Sequence, residues 1–499
     1  MTSLARTLLH STADRHPERI AVETDTVSVT FAELCELVDR RVDYLVSHVV
    51  LDDSTSWAPL LVDYSLDSVV SVLACLTGSI PFAPLDSEVP SERLRRLLSL
   101  LGNPRQVIGA PKANSVLPEG ASLLTPTLSE GRNRPVYRDS DPEDTHLVVT
   151  TSGTTGTPKA VLVSFSVVNE RITIAQRRYD FDAENPHSSL MSPLHFMGGI
   201  VGLLPLLFGE SIVFLDPRRY SPKDLLQRLV AANLTQLYVT PQICRLLSLL
   251  PETVPGRFHR LRTIVTGAET MRYEYFSGLS RRVPKNAELI QIFGSSEAPQ
   301  SFMSRAQVAC MPSRGVMPLG DPTDPDNIRL VPLEGGDEGL HELWRAGPIL
   351  SGYLGAPELN ERQFHIDGEG KRWWKSGDLF VKSTEGGWIF SGRSDDMVKI
   401  HGKLASPAEV VKVLAEVPSV RASLVLPETE DGRTRFVAHI EVNSVGEVDA
   451  AEVRRFLSAQ LPTHLVPARF HFYESLPLTV RGKTDRKALR EGTLPPDPN

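Results

Sequence analysis

Between Val148 and Ser164 the chain reads VVTTSGTTGTPKAVLVS, a stretch that gathers the groups needed to hold an anion. Thr151, Ser152, Thr154 and Thr155 offer hydroxyls, and Lys159 offers an ammonium. Gly153 and Gly156 permit φ > 0, so successive backbone N–H groups can converge on one point. That set suits a polyphosphate. A Ser/Thr/Gly run by itself is a solvated turn, but this one is saturated with hydroxyls and ends in Pro158-Lys159 between two apolar runs. The loop of kinases and GTPases, Gly-x-x-x-x-Gly-Lys-Ser/Thr, is absent, and the residues that follow read as a strand rather than a helix.

Four more segments carry groups that could do chemistry: FGSSE at 293–297, WKSGD at 374–378, SGRSDDMVKIHG at 391–402 and LPLTVRGKTDRKAL at 476–489. Each alone has a plainer reading. Asp378 is a turn residue after Gly377, Lys483 is a solvated surface lysine, and His195 in SPLHFMGG is a core histidine near Met197.

The elements that must position these residues alternate. Phe31, Leu34, Val38, Val42 and Leu45 recur at helical spacing and predict an amphipathic helix over 31–48. A buried strand at 58–62, a helix at 65–76 and a helix at 91–101 follow. Residues 119–144 read as a surface connection. Further on, strands end at His195-Phe196-Met197-Gly198-Gly199, at Pro241, at Gly267-Ala268-Glu269 and at Gly294-Ser295-Ser296-Glu297. Ligands of open α/β sheets sit beyond the carboxyl ends of strands, so these four ends outline one pocket. The chain is therefore α/β: a large N-terminal domain of sheets covered by helices, with a β-rich subdomain from 328 to 380. A composition shift at 391–396 reads as a linker. Beyond it lies a compact α+β unit, with a capping box at Ser406-Pro407-Ala408-Glu409, a hairpin turn at Asp431-Gly432 and a helix capped by Asp449.

At 499 residues, with 41% hydrophobic and 23% charged residues, the composition is that of a soluble multi-domain protein. A net charge of −8 argues against nucleic acid or an anionic membrane as the main partner. The N-terminus lacks a signal peptide's apolar core, and no apolar run is long enough to span a bilayer. Cys35, Cys75, Cys244 and Cys310 have no paired spacing and read as reduced structural thiols, which implies a cytoplasmic protein.

The five segments, in this order, resemble the adenylate-forming superfamily of acyl-CoA synthetases, nonribosomal peptide adenylation domains and beetle luciferase. The resemblance covers essentially the whole chain. It implies activation of a carboxylic acid by ATP and Mg²⁺ to an acyl-adenylate, with release of pyrophosphate. It further implies that Thr151, Ser152, Gly153, Thr154, Thr155 and Lys159 hold the β- and γ-phosphates. Gly267, Ala268, Glu269, Phe293 and Gly294 line the adenine site, with Phe293 stacking where Tyr is common. Ser296 stands beside the α-phosphate, Glu297 binds the metal, Asp378 takes the ribose with support from Arg393, and Lys483 is the catalytic lysine. On the same basis, residues 1–393 form the core, Asp395 within 394–396 is the hinge, and 397–499 form a small mobile lid. Lys399 and Gly402 approach the pantetheine thiol in a second pose.

Departures from the family pattern point to the substrate. Adenylation domains for α-amino acids carry an Asp after Phe in the 192–199 segment. No acidic residue occurs here between Glu184 and Glu210. A buried substrate ammonium without a carboxylate partner is costly. The expected acid therefore lacks an α-amino group and is aliphatic or aromatic, with His195, Phe196, Met197, Gly198, Gly199 and Gly294 around it and His195 near its carboxylate. The expected acceptor is a separate carrier protein, since no carrier segment precedes Asn499. Free coenzyme A and a nitrogen nucleophile are the alternatives. Arg171, Arg177 and Arg178 could meet a coenzyme A phosphate, though surface charge is the plainer reading.

Overall fold

The computed structural model describes residues 3–49, 56–109, 117, 120–131, 135, 137, 140–152, 158–178, 187–333, 339–400, 403–430, 433–442, 444–445, 448–477 and 484–492. The chain divides into two compact units. One comprises 1–315, 322–324 and 345–374, and the other comprises 316–321, 325–344 and 375–499.

The first unit holds two sheets. In the eight-stranded sheet the order is Phe302–Gln307, Glu288–Phe293, Thr263–Thr266, Gln236–Val239, His187–Leu190, Ser211–Phe214, Ile20–Glu23 and Ser28–Thr30. Neighbours in this sheet are parallel from Glu288–Phe293 through Ile20–Glu23, and only the two edge strands are antiparallel. The seven-stranded sheet runs Gly352–Tyr353, Pro158–Ser164, Thr145–Ser152, Phe82–Asp86, Ala58–Val62, Gln106–Ile108 and Ser122–Leu124.

Helices join the two sheets through one core. Leu9, Leu34, Val38, Val69 and Leu73, from the helices Leu4–Arg15, Phe31–His48 and Leu66–Thr77, pack with Ile212 and Phe214 of the first sheet and Leu60 and Phe82 of the second. Helix Phe31–His48 begins where the spacing predicts, and it carries a capping box between Thr30 and Glu33 that satisfies two otherwise orphaned backbone donors.

Mostly within the second unit, Ile328–Pro332, Leu340–Arg345 and Arg372–Lys382 are successive neighbours, and Trp388–Arg393 pairs with the last of them. A three-stranded sheet of Ala422–Glu430, Arg433–Glu441 and Arg469–Tyr473 shares a core with the helices Pro407–Leu414 and Ala450–Gln460. Val425, Phe436, Ile440, Val410, Leu414 and Leu457 build that core.

Several expectations are corrected. A short strand, Ser122–Leu124, lies inside the stretch read as a plain connection, because parallel pairing with Gln106–Ile108 supplies what its sequence does not advertise. Ser406 does not cap its helix; its hydroxyl instead reaches the carbonyl of Ser391 at 3.5 Å. Ser391–Arg393, read as the start of a linker, completes a strand. The four cysteines are free, and Cys310 is exposed rather than structural. Among the described residues no helix is long and apolar enough to cross a membrane.

Glu210, which precedes strand Ser211–Phe214, is fully buried and accepts a hydrogen bond from Gln236 Nε2 at 3.0 Å. Burial pushes its carboxyl up from 4.5 to about 8, opposed by a hydrogen bond with Ser188. The folded state therefore holds a proton that the unfolded chain releases, so stability falls as pH rises from about 4.5 to about 8. Glu210→Gln should flatten that slope, raising Tm at pH 8 relative to wild type while leaving it nearly unchanged at pH 5. An equal Tm shift at both values would contradict the assignment.

Candidate active site

The four strand ends expected to outline a pocket leave the same edge of one parallel sheet. Adjacent registers, Thr266 with Gln291 and Val239 with Thr266, align them. What emerges there is His195 and Phe196 ahead of helix Met197–Leu203, Pro241 at the head of the next helix, Gly267 to Glu269, and Gly294 to Glu297. A parallel sheet collects strand ends on one side because every crossover returns the chain to the same starting edge.

Local packing explains each turn. A Cβ on Gly267 would stand 2.9 Å from the Ile292 carbonyl oxygen, so only glycine lets the strand end pass its neighbour. Ala268 follows with φ +69, a left-handed conformation costing about 1–2 kcal/mol for a residue with a Cβ. Such strain persists where the surrounding structure imposes it. Phe293 is half-buried, with its ring edge-on to Phe302 at 6.0 Å. His195 is also half-buried, its ring 4.0 Å from Phe196. A Cβ on Gly199 would meet the Pro193 carbonyl oxygen at 2.1 Å, so its smallness serves helix entry.

The turn bearing Ser296 and Glu297 is braced on several sides. Ser295 N–H donates to the Ala298 carbonyl at 3.1 Å, Ala298 N–H to Ser295 Oγ at 3.2 Å, and Leu350 N–H to the Glu297 carbonyl at 2.7 Å. Arg171 Nη2 donates to the Ser296 carbonyl at 2.9 Å. Arg171 is 7% exposed, and burial pushes its guanidinium down to about 10 while the charge of Glu297 opposes the shift. This corrects the expectation that Arg171 is surface charge or a phosphate contact: it buttresses the FGSSE turn. Helical periodicity could have flagged it, since Val168, Ile172 and Ala175 around it are buried. Arg177 and Arg178 have side chains outside the described residues.

Among the described residues nothing hydrogen-bonds or ion-pairs with the half-buried Glu297 carboxylate. A carboxylate held in a braced turn with its oxygens uncommitted fits a divalent cation that takes oxygen ligands, such as Mg²⁺.

The strands Thr145–Ser152 and Pro158–Ser164 pair antiparallel, placing Thr151 opposite Lys159 and Ser152 opposite Pro158. Both of the expected strands are thus present. Gly153, Thr154 and Thr155 lie outside the described residues, as does the side chain of Ser152. Lys159 Nζ lies 5.9 Å over the ring of Tyr353, whose strand pairs with Pro158–Ser164.

In the second unit Asp378 and Arg393 are directly paired across two strands, with Arg393 Nη1 donating to Asp378 Oδ1 at 2.8 Å and Nη2 to the Ser376 carbonyl at 3.1 Å. Gly377 has φ +73, and a Cβ there would meet Arg393 Nη2 at 2.9 Å. Glycine is therefore required for the arginine to close over the turn. Glu342 Oε1 accepts the Gly377 N–H at 3.0 Å, and Ser376 Oγ accepts the Asp378 N–H at 2.9 Å. Ser376 belongs to the WKSGD segment itself, whereas Glu342 is not apparent from it. Asp395 lies exposed in the 3-10 turn Ser394–Asp396, 3.5 Å from Arg393. Lys399 belongs to the strand Val398–Ile400 but its side chain is outside the described residues, as are Gly402 and Lys483 altogether.

Residues 9–350 match the model of a family described as AMP-binding enzyme. The chain belongs to that family. This AMP-binding enzyme is thereby a member of the adenylate-forming superfamily expected from its five segments. It is 26% identical over 494 residues to a dimodular nonribosomal peptide synthase of Bacillus subtilis, covering 95% of this chain and 20% of that protein. The chain spans less than half the length of the curated relatives it matches. Its fold is similar to that of Klebsiella oxytoca NpsA, solved in complex with 3-hydroxyanthranilyl-AMSN, with a TM-score of 0.79, 20% identity and 99% coverage of both chains. A benzoate CoA ligase from Burkholderia xenovorans aligns with a TM-score of 0.80 and 20% identity, over 98% of this chain and 100% of that one.

Proposed function

We propose that this enzyme activates an aliphatic or aromatic carboxylic acid without an α-amino group, then passes the acyl group to the phosphopantetheine thiol of a separate carrier protein. The observation that carries the substrate reading is the turn from Pro193 to Gly199. It leads from the strand His187–Leu190 into helix Met197–Leu203, and no acid occurs between Glu184 and Glu210. The one acid that closes this interval, Glu210, is fully buried, and burial favours its neutral form. The carrier reading rests on similarity to nonribosomal peptide synthases.

In this reading a carboxylate oxygen attacks the α-phosphorus of ATP, and the bond to the bridging oxygen breaks as pyrophosphate leaves. Thr151, Ser152, Thr154, Thr155 and Lys159 hold the departing phosphates, with the Gly153 backbone among them. Phe293 stacks on adenine against Gly267, Ala268, Glu269 and Gly294. Asp378, buttressed by Arg393, accepts from the ribose hydroxyls. Ser296 bonds the α-phosphate, and His195 orients the substrate carboxylate beside Phe196, Met197, Gly198 and Gly199. Glu297 holds Mg²⁺, which when bound neutralises phosphate charge. Lys483 places its ammonium where charge develops in the transition state. For the second step Asp395 is the pivot, and Lys399 and Gly402 flank the thiol.

ATP–pyrophosphate exchange across a panel of acids tests the substrate class. Exchange should be at least tenfold faster with benzoate-like or short aliphatic acids than with any α-amino acid. A clear preference for an α-amino acid would sink the proposal.

A further inference from the structure

Near the N-terminus, among residues that no step above uses, a thiol, an imidazole and a carboxylate converge. Cys35 and Asp39 lie one turn apart on helix Phe31–His48, and residues four apart share a helix face. His10 faces them from helix Leu4–Arg15. Cys35 Sγ is 3.7 Å from His10 Nδ1, and His10 Nε2 is 3.2 Å from Asp39 Oδ1. One donor atom from each residue falls within 4.8 Å of the other two.

Packing keeps these atoms together. Leu9 and Ala13 of the first helix and Leu34 and Val38 of the second belong to the buried core, so the two backbones cannot drift apart without opening it. The Tyr137 hydroxyl donates to Asp39 Oδ1 at 2.6 Å and lies 3.1 Å from His10 Nε2, holding the carboxylate beside the imidazole. The His10 side chain is 40% exposed and Asp39 13%, which leaves an approach from solvent.

A tetrahedral zinc ion with bonds of about 2.0–2.3 Å to nitrogen, oxygen and sulfur sets its ligand atoms roughly 3.3–3.8 Å apart. The Cys35 contact with His10 already has that spacing, and with one ligand atom taken from each residue the three lie within 4.8 Å of one another. Because His10 gives an ion only one ring nitrogen, the thiol and the carboxylate, which face different nitrogens, must turn toward a common point. Thiolate plus imidazole selects a borderline metal over Mg²⁺ or Ca²⁺. An outer partner orienting the carboxylate, as Tyr137 does, is typical of such centres.

We propose that His10, Cys35 and Asp39 form a binding site for Zn²⁺, with the fourth position open to water. The ion would tie helix Leu4–Arg15 to helix Phe31–His48. Binding displaces the thiol proton, since the thiolate is the ligand.

The full chain, dialysed against Zn²⁺ in excess Mg²⁺, should retain one zinc per molecule. Loaded with Co²⁺, it should show thiolate-to-metal charge-transfer absorption. Cys35→Ser should abolish that absorption, and His10→Gln should weaken Zn²⁺ binding by more than about 100-fold, beyond the loss expected from a supporting residue. Cys310→Ser, which removes the exposed thiol, should change neither readout. Asp39→Asn provides a second probe if Cys35→Ser folds poorly, with the same weakening expected. Failure to retain zinc, or retention unchanged in His10→Gln and Asp39→Asn, would overturn the site.

Discussion

Lys483→Ala should lower ATP–pyrophosphate exchange by at least about 10²–10³-fold, the scale on which removing one preorganised charge from a transition state is felt. ATP binding should remain within a few-fold of wild type, because the ammonium is required most where charge peaks during displacement rather than in the ground state. The described residues on either side of it are pinned without it. Asp485 N–H donates to the Pro477 carbonyl at 2.7 Å, Leu476 N–H donates to Glu441 Oε2 at 3.1 Å, and Leu476 and Leu489 pack with Leu426. Tm should therefore hardly move, and loss of exchange would report chemistry rather than unfolding. Exchange at the wild-type rate in Lys483→Ala would remove the lysine from the mechanism.

Asp378→Asn should raise the KM for ATP by roughly 100-fold, as expected when a buried carboxylate gives up two charge-assisted hydrogen bonds worth about 1.5–3 kcal/mol each, part of which the amide oxygen recovers. Two effects combine here, and they can be separated. The substitution also weakens the ion pair with Arg393, whose side chain is 30% exposed and has Asp395 at 3.5 Å as a second acid. With water and a second carboxylate at hand, that loss should cost about 1 kcal/mol of stability rather than the several expected for a sealed pair. The ribose role is read by 2′-deoxy-ATP. Wild type should discriminate against it, and Asp378→Asn should lose most of that discrimination, giving a coupling energy in a double-mutant-style cycle. Equal sensitivity to the deoxynucleotide in both proteins would leave Asp378 a purely structural residue.

These two residues also differ in how far sequence alone reaches. The adenylate-forming assignment and the candidate roles of Lys159, Glu297, Asp378 and Lys483 were legible in five short segments, because a phosphate cradle or a metal carboxylate needs particular residue types at close spacing. The α/β character was legible as well: apolar periodicity placed helix Phe31–His48 and the strands Ala58–Val62, Thr263–Thr266 and Glu288–Phe293 close to where they occur. Each of these is a local property, written within one or two turns of chain.

What only the tertiary structure decided depends on partners far apart in sequence. Arg171 reads as a basic residue on a helix until the fold brings the Ser296 carbonyl to it across 125 residues. Gly377 is a turn glycine until Arg393 folds over it and leaves no room for a Cβ. Ser122–Leu124 becomes a strand only because Gln106–Ile108 offers it an edge. His10, Cys35 and Asp39 share no motif, and the packing of two helices is what makes them neighbours. The hydroxyl-rich segment from Thr150 to Lys159 shows both kinds of dependence. Its composition points to the anion-binding role proposed for it, whereas the pairing of Thr151 with Lys159 came from the register of two strands. Register is set by cross-strand pairing and core burial over long range, which local residue patterns do not encode.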